Sequence, residues 1–417
     1  MRNTLKQVFG FGNPGEQLVV ASKRGDLKRV RGLVARGASV NFKDKDDATP
    51  LIYASKYGHL SLVKELLAQG ADLMLADKTN CTPLHIASYK GYLIIILVLL
   101  AHGASIDAAD ESGRTPLHWA SSWGRIAIVK ELLARGAPVD SANKKGNTPL
   151  HCASANRHWD IVHELQAQGA AIDAGNVNGY TALHHAAFCG YLDVFKKLIT
   201  CGADIHAKNK DDTPLHVAAS NGHLHVVEEL MTHGITLDVP NEFGDTPLHR
   251  ASWHGQAEMV ERLLVHGAKI DVANTDGSTP LHDAACKGHV DVVKVLLAHG
   301  APIDARDLNG DTALHRASMN GQVYFDQELD TMANSTNKSR KVQCPPATFN
   351  GQVQVLKVLL DAGAKRHLRN EDGKTARDLG NSAVDAWFDI YRNIANKKLL
   401  ERISKIPTRH FETHVAS

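Results

Sequence analysis

The four-residue word Thr-Pro-Leu-His, or a near copy, returns along the chain at an almost fixed spacing. That spacing limits what the chain can fold into. The word starts at Thr49 (TPLI), Thr82, Thr115, Thr148, Thr181 (TALH), Thr213, Thr246, Thr279 and Thr312 (TALH), with an eroded copy at Thr375 (TARD). Successive steps are 33 residues, apart from a step of 32 into Thr213 and a longer one into Thr375. One period holds enough chain for two short helices and a turn, but too little for a core of its own. Such a unit has to stack on its neighbours.

The period from Asp110 to Ala142 shows the local logic. The Thr115 hydroxyl can cap a helix by accepting a backbone N–H. Pro116 falls at the first helical position, where its missing N–H costs nothing. Small Ala and Ser residues then allow close packing, and Gly124 can end the helix in the left-handed conformation. Ile126, Ile128, Val129, Leu132 and Leu133 follow at helical spacing, and Gly136 ends the second helix.

This word and this period resemble the ankyrin repeat. The resemblance implies an all-α ankyrin-repeat solenoid of about eleven stacked helix-turn-helix units with β-turn loops. It divides the chain into a flexible leader (1–13), an array (14–403) and a flexible tail (404–417). Within the array come an N-terminal cap repeat (14–43), nine repeats (44–369) and a C-terminal cap (370–403) that opens on DGKTARDLG.

Composition adds exclusions. A net charge of +2 gives no reason to expect nucleic acid or an anionic membrane as partner. Six cysteines without a CxxC pair suit reduced thiols in the cytoplasm or nucleus. The first residues lack a secretory apolar core, and the apolar run Leu93 to Ala101 is too short to span a membrane.

The 24 histidines invite a metal reading. Eight belong to the repeat word: His85, His118, His151, His184, His216, His249, His282 and His315. The resemblance gives these a structural role in tying loops together. His102, His233, His266 and His299 precede helix-ending glycines, where they can meet a helix C-terminus. No HExxH motif or Cys/His cluster at zinc spacing is present. Gly10, Gly12 and Gly15 spell GxGxxG, but without the strand and βαβ unit that a dinucleotide fingerprint needs. No catalytic residue, cofactor or metal is therefore expected, and the chain is not expected to be an enzyme.

The resemblance places the two residues before each mid-repeat glycine, and the turn residues before each Thr, on a concave face. The candidate partner-binding residues there are Lys56, Tyr57, Tyr89, Lys90, Arg114, Trp123, Tyr180, Phe188, Trp253 and His254. Aromatic residues are 6% of the chain, so their gathering in these slots points to an interface, with packing of some against neighbouring turns as the alternative. Charge along the face is uneven. Lys23, Arg24, Lys45, Lys56, Lys78, Lys90, Arg114, Lys144 and Lys145 lie toward one end, against Asp46, Asp47 and Glu111, and Asp211, Asp212, Glu242, Asp245, Asp276 and Asp311 toward the other, against Lys210 and Lys287; such a gradient orients a partner, while ordinary solvated turns are the plain alternative. Ile94, Leu97 and Val98 form an apolar patch in outward slots of one second helix.

Two units depart from the pattern: the fifth has Arg157 where a glycine should close a helix and Gln166 where leucine is usual, and the seventh has lost one turn residue (NKDDT). The word at Thr375 comes 30 residues late, and NGQV occurs at 320–323 and again at 350–353. Deleting Val323 to Gln352 restores a unit in register. The segment begins with Val (GT codons) and ends with Gln (CAG), as a translated retained intron would; a genuine loop is the alternative.

The function expected is a non-enzymatic scaffold or adaptor, a monomer that binds a protein partner in the concave groove. An inhibitor or substrate-recognition subunit of a signalling or ubiquitin-ligase complex is the alternative. Neither a small-molecule substrate nor a transmembrane segment is expected.

Overall fold

The computed structural model describes residues 13–319 and 347–380, with 384–385, 387–389 and 391–392. The leader 1–12, most of the segment beginning at Val323, and the tail 404–417 lie outside the described residues. The chain divides into two compact units, Met1–Pro214 and Leu215–Ser417.

In the first unit, helices come in pairs of one architecture: Pro14–Arg24 with Leu27–Ala35, Pro50–Tyr57 with Leu60–Ala68, Pro83–Lys90 with Leu93–Ala101, and Pro116–Ser122 with Ile126–Ala134. Pro149–Ala155 with Trp159–Ala167 and Ala182–Cys189 with Leu192–Thr200 complete the run. First helices pack on first helices of the next repeat, and second on second. The second unit repeats the scheme with Pro247–Trp253 and Ala257–Val265, then Pro280–Lys287 and Val290–Ala298, then 313–319 and Ala347–Asp361. No strand occurs among the described residues. The fold is that of an all-α ankyrin solenoid.

Packing follows from pattern. Each second helix buries a triplet such as Ile128, Val129 and Leu132, or Val194, Phe195 and Leu198, all 0–2% exposed. Three apolar residues at i, i+1 and i+4 make one stripe, and stacking joins the stripes within each unit into a core. First helices contribute one Leu and small residues, as in Leu117, Ala120 and Ser121.

The histidines of the repeat word hold this stack. Thr115 N donates to His118 Nδ1 at 3.1 Å, and His118 Nε2 donates to the Asn147 carbonyl in the next turn at 2.9 Å. The same pair of bonds recurs at His85, His151, His184, His249, His282 and His315. These histidines are buried and tautomerically fixed, which is a structural role. In the last copy, Asp378 replaces the histidine and keeps the cap half, accepting from Thr375 N at 2.9 Å. A second tie comes, in several repeats, from the residue after the left-handed position that closes the first helix. Arg125, His158, Gln256 and His289 reach back to the carbonyls of Tyr89, Ser122, Ser220 and Trp253.

That second tie extends to Gln352, a residue that removing the expected insertion would have taken away. Gln352 is 2% exposed, and its Nε2 donates to the Cys286 carbonyl at 2.7 Å, the place taken by Gln256 and His289 in earlier repeats. Gln352 and the residues back to Ala347 belong to the helix Ala347–Asp361. The second NGQV thus lies in a helix of the repeat, and the first falls outside the described residues. Removing 320–349 leaves the same sequence as removing 323–352, so the duplicated word hid the choice.

Candidate binding surface

Within Met1–Pro214, the first helices and turns carry two groups of aromatic and cationic side chains. One centres on Tyr53, which sequence reasoning missed. Its hydroxyl donates to Asp44 Oδ2 at 2.7 Å, and its ring stacks on Tyr57 at 6.4 Å. The Lys23 ammonium lies 4.1 Å over the same ring. Asp44 also accepts the N–H groups of Asp46 and Ala48 through Oδ1. One carboxylate therefore shapes the turn and orients the aromatic.

The other group repeats this device. Trp119 Nε1 donates to Asp110 Oδ2 at 3.0 Å, while Asp110 Oδ1 holds the turn through Ser112 N and Arg114 N. The Arg114 guanidinium bonds the same carboxylate and sits 4.2 Å from the Trp119 ring centre. Burial pushes the Asp110 carboxyl upward, but the Arg114 N–H and guanidinium outweigh it and hold it below its ordinary value. Tyr89 packs edge-on against Trp119 and Trp123, at 5.7 and 4.7 Å, with Lys90 over its own ring face. Trp123 and Tyr57 remain about half exposed, at 49% and 47%.

Of the residues singled out from sequence, Tyr57 thus joins Tyr53, and Tyr89, Lys90, Arg114 and Trp123 come together around Trp119. Lys56 is exposed at the end of its helix. Phe188 is exposed on Ala182–Cys189. Tyr180 is half-buried, with its ring 5.5 Å from His184 and its carbonyl taken by His151. In the second unit, Trp253 and exposed His254 end Pro247–Trp253, and the Lys287 ammonium lies 3.9 Å over the Trp253 ring.

Tyr53 and Trp119 were findable. Each is the fifth residue of the word and lies nine residues after a turn aspartate. Arg316 holds the same position and bonds Asp307 with both Nε and Nη2. Where the turn residue is asparagine, its amide reaches back a repeat, as Asn176 to Asn147 and Asn274 to Asp245.

The charge gradient needs correction. Asp212 and Asp311 are 4% and 3% exposed and belong to the interior, where Asp311 accepts from Asn370. Of the apolar outward trio, Ile94 is exposed and Leu97 and Val98 are half-buried. Gly15 is no phosphate-loop glycine: it opens the helix Pro14–Arg24, and a Cβ there would fall 2.2 Å from the Phe42 ring. Among the described residues, no group of His, Cys, Asp or Glu could hold a metal ion, and no helix is long and apolar enough to cross a membrane.

A family model for ankyrin repeats in three copies matches residues 18–110, 80–143, 117–209, 196–274 and 254–328. None of the curated proteins compared with it matches the chain. Capped helix pairs, histidine ties between turns and matches that span most of the sequence lead to one conclusion: the chain belongs to the ankyrin-repeat family.

Proposed function

We propose that this protein is a non-enzymatic scaffold or adaptor that holds a protein partner against its first-helix and turn face. Ankyrin repeats are protein–protein interaction modules, and the proposal adds which surface is used. The observation that carries it is the cluster of Tyr89, Trp119 and Trp123 flanked by Lys90 and Arg114. The repeat needs none of these aromatics for stacking. Large aromatic anchors beside guanidinium groups are what binding hot spots are made of. The chemistry fits a partner segment with an apolar anchor and acidic neighbours. The described cysteines are free thiols, which suits a cytoplasmic setting.

The test is affinity capture with the full-length chain, followed by calorimetry on the captured partner. Trp123→Ala is expected to weaken binding by about 2 kcal/mol or more, with an unchanged melting temperature. Full affinity in that variant moves the interface elsewhere.

A further inference from the structure

The second unit holds a cleft of about 360 Å³ with Trp253 and Phe243 on its walls and Asp245, Asp276 and Asp283 among its lining groups. That size lies in the range of about 300–1,000 Å³ usual for ligand sites. Asp283 is 8% exposed, and its carboxylate has no hydrogen bond or ion pair among the described residues. A buried carboxylate without a partner is costly. Three residues at the same fifth position, Tyr53, Trp119 and Arg316, bond their turn aspartates instead. The residue nine before Asp283 is an asparagine, and the Asn274 amide is spent on Asp245.

Two arginines also line the cleft. Arg316 is engaged by Asp307 and lies 3.8 Å from Asp311. Arg250, Arg316 and Lys287 draw the Asp283 carboxyl down, but burial and the Asp245 charge prevail and raise it well above its ordinary value. Lys287 shows that the face of Trp253 takes a cation, and as an exposed side chain it can swing aside.

We propose that this cleft receives a basic side chain of a protein partner, an arginine for preference, with Asp283 as its counter-charge and Trp253 as its stacking wall. The inference rests on the reading of the chain as a protein-binding module and adds the chemistry of a second anchor point. A guanidinium is planar and weakly hydrated, and it can pair with a carboxylate while stacking on an indole. Its arrival gives the buried Asp283 charge a partner that no described residue supplies.

The experiment titrates the full-length protein with Nα-acetyl-arginine amide and with its neutral isostere, Nα-acetyl-citrulline amide. The readout is the Trp253 indole N–H resonance, assigned with Trp253→Phe. The arginine compound is expected to shift that resonance saturably, and citrulline is not. Asp283→Asn, which keeps shape and removes charge, is expected to weaken the arginine response about tenfold or more. A thermal melt checks that the variant folds; should it not, Lys287→Ala supplies the second arm, with arginine binding retained or tightened. Equal binding of citrulline, an unchanged response in Asp283→Asn, or no shift up to tens of millimolar overturns the proposal. Because the titration needs no partner, its outcome is independent of whether Trp123 anchors one.

Discussion

Arg157 closes the helix Pro149–Ala155 at φ +62°, a left-handed conformation that glycine holds at the equivalent positions Gly124 and Gly190. The strain is on the order of 1 kcal/mol. An exposed ion pair with Asp193 at 3.1 Å offsets little of it. Arg157→Gly is expected to raise the unfolding free energy by up to about 1 kcal/mol; a lower melting temperature would mean that the Asp193 contact outweighs the strain. The tie histidines set the response to acid. Burial pushes His118 and His184 down to about 4. Their Nδ1 atoms accept Thr N–H groups, so protonation breaks the cap. The unfolded chain takes up these protons near 6.5. Stability is therefore full above about pH 6.5 and falls as pH drops from there toward 4, because the unfolded state binds more protons across that window. Urea melts at successive pH values check this; a flat midpoint between about 7 and 4.5 contradicts the neutral-histidine account.

At the scale of the helix, the first helices bury serine hydroxyls where other repeats bury alanine. Ser55, Ser88, Ser121, Ser154 and Ser252 have buried Oγ atoms with no hydrogen-bond partner. The same site is Ala187 and Ala285 in other repeats, so a methyl group fits there. Ser121→Ala is expected to stabilise by about 1 kcal/mol, since an unsatisfied buried hydroxyl is removed without leaving a void. A destabilised variant would reveal a bond to the helix backbone, such as Ser318 makes to the Leu314 carbonyl. The join between Pro280–Lys287 and Ala347–Asp361 is steric. A Cβ on Gly351 would lie 2.6 Å from the Gly288 carbonyl oxygen. Gly351→Ala is expected to cost about 1–3 kcal/mol, read as a lower denaturation midpoint. Wild-type stability in that variant would return the repeat to the first NGQV.

At the scale of the whole molecule, the late word at Thr375 and the ionic surface are both testable. Removing residues 320–349 joins Met319 to Asn350 and restores the 33-residue step from Thr312. The shortened chain is expected to be at least as stable, because a shorter connection costs less chain entropy; a melting temperature several degrees lower would make the segment part of the structure. The cations around Tyr89 and Trp119 predict salt-sensitive partner binding. Raising salt from about 0.15 to 1 M shortens the screening length from ~8 to ~3 Å. Affinity should fall accordingly, and salt-independent binding would leave the aromatic contacts as the whole of the recognition.

Sequence alone determined the features that depend on neighbours at fixed offsets. The 33-residue period forces stacking, the Thr-Pro pair starts each first helix, and the histidine three residues on ties one turn to the next. The strained position of Arg157 was legible for the same reason, since glycine marks that place elsewhere. Tertiary structure decided what the offsets leave free. It placed the second NGQV word in the helix that fits against Gly288, which the sequence repeat alone could not do. It put Tyr53 and Trp119 beside the residues expected on the surface, because a turn carboxylate nine residues earlier holds each in place. It withdrew Asp212 and Asp311 from the surface and left Asp283 buried without a donor among the described residues, because the charge of a face depends on which groups pair across it. A linear count of residues does not contain those pairings.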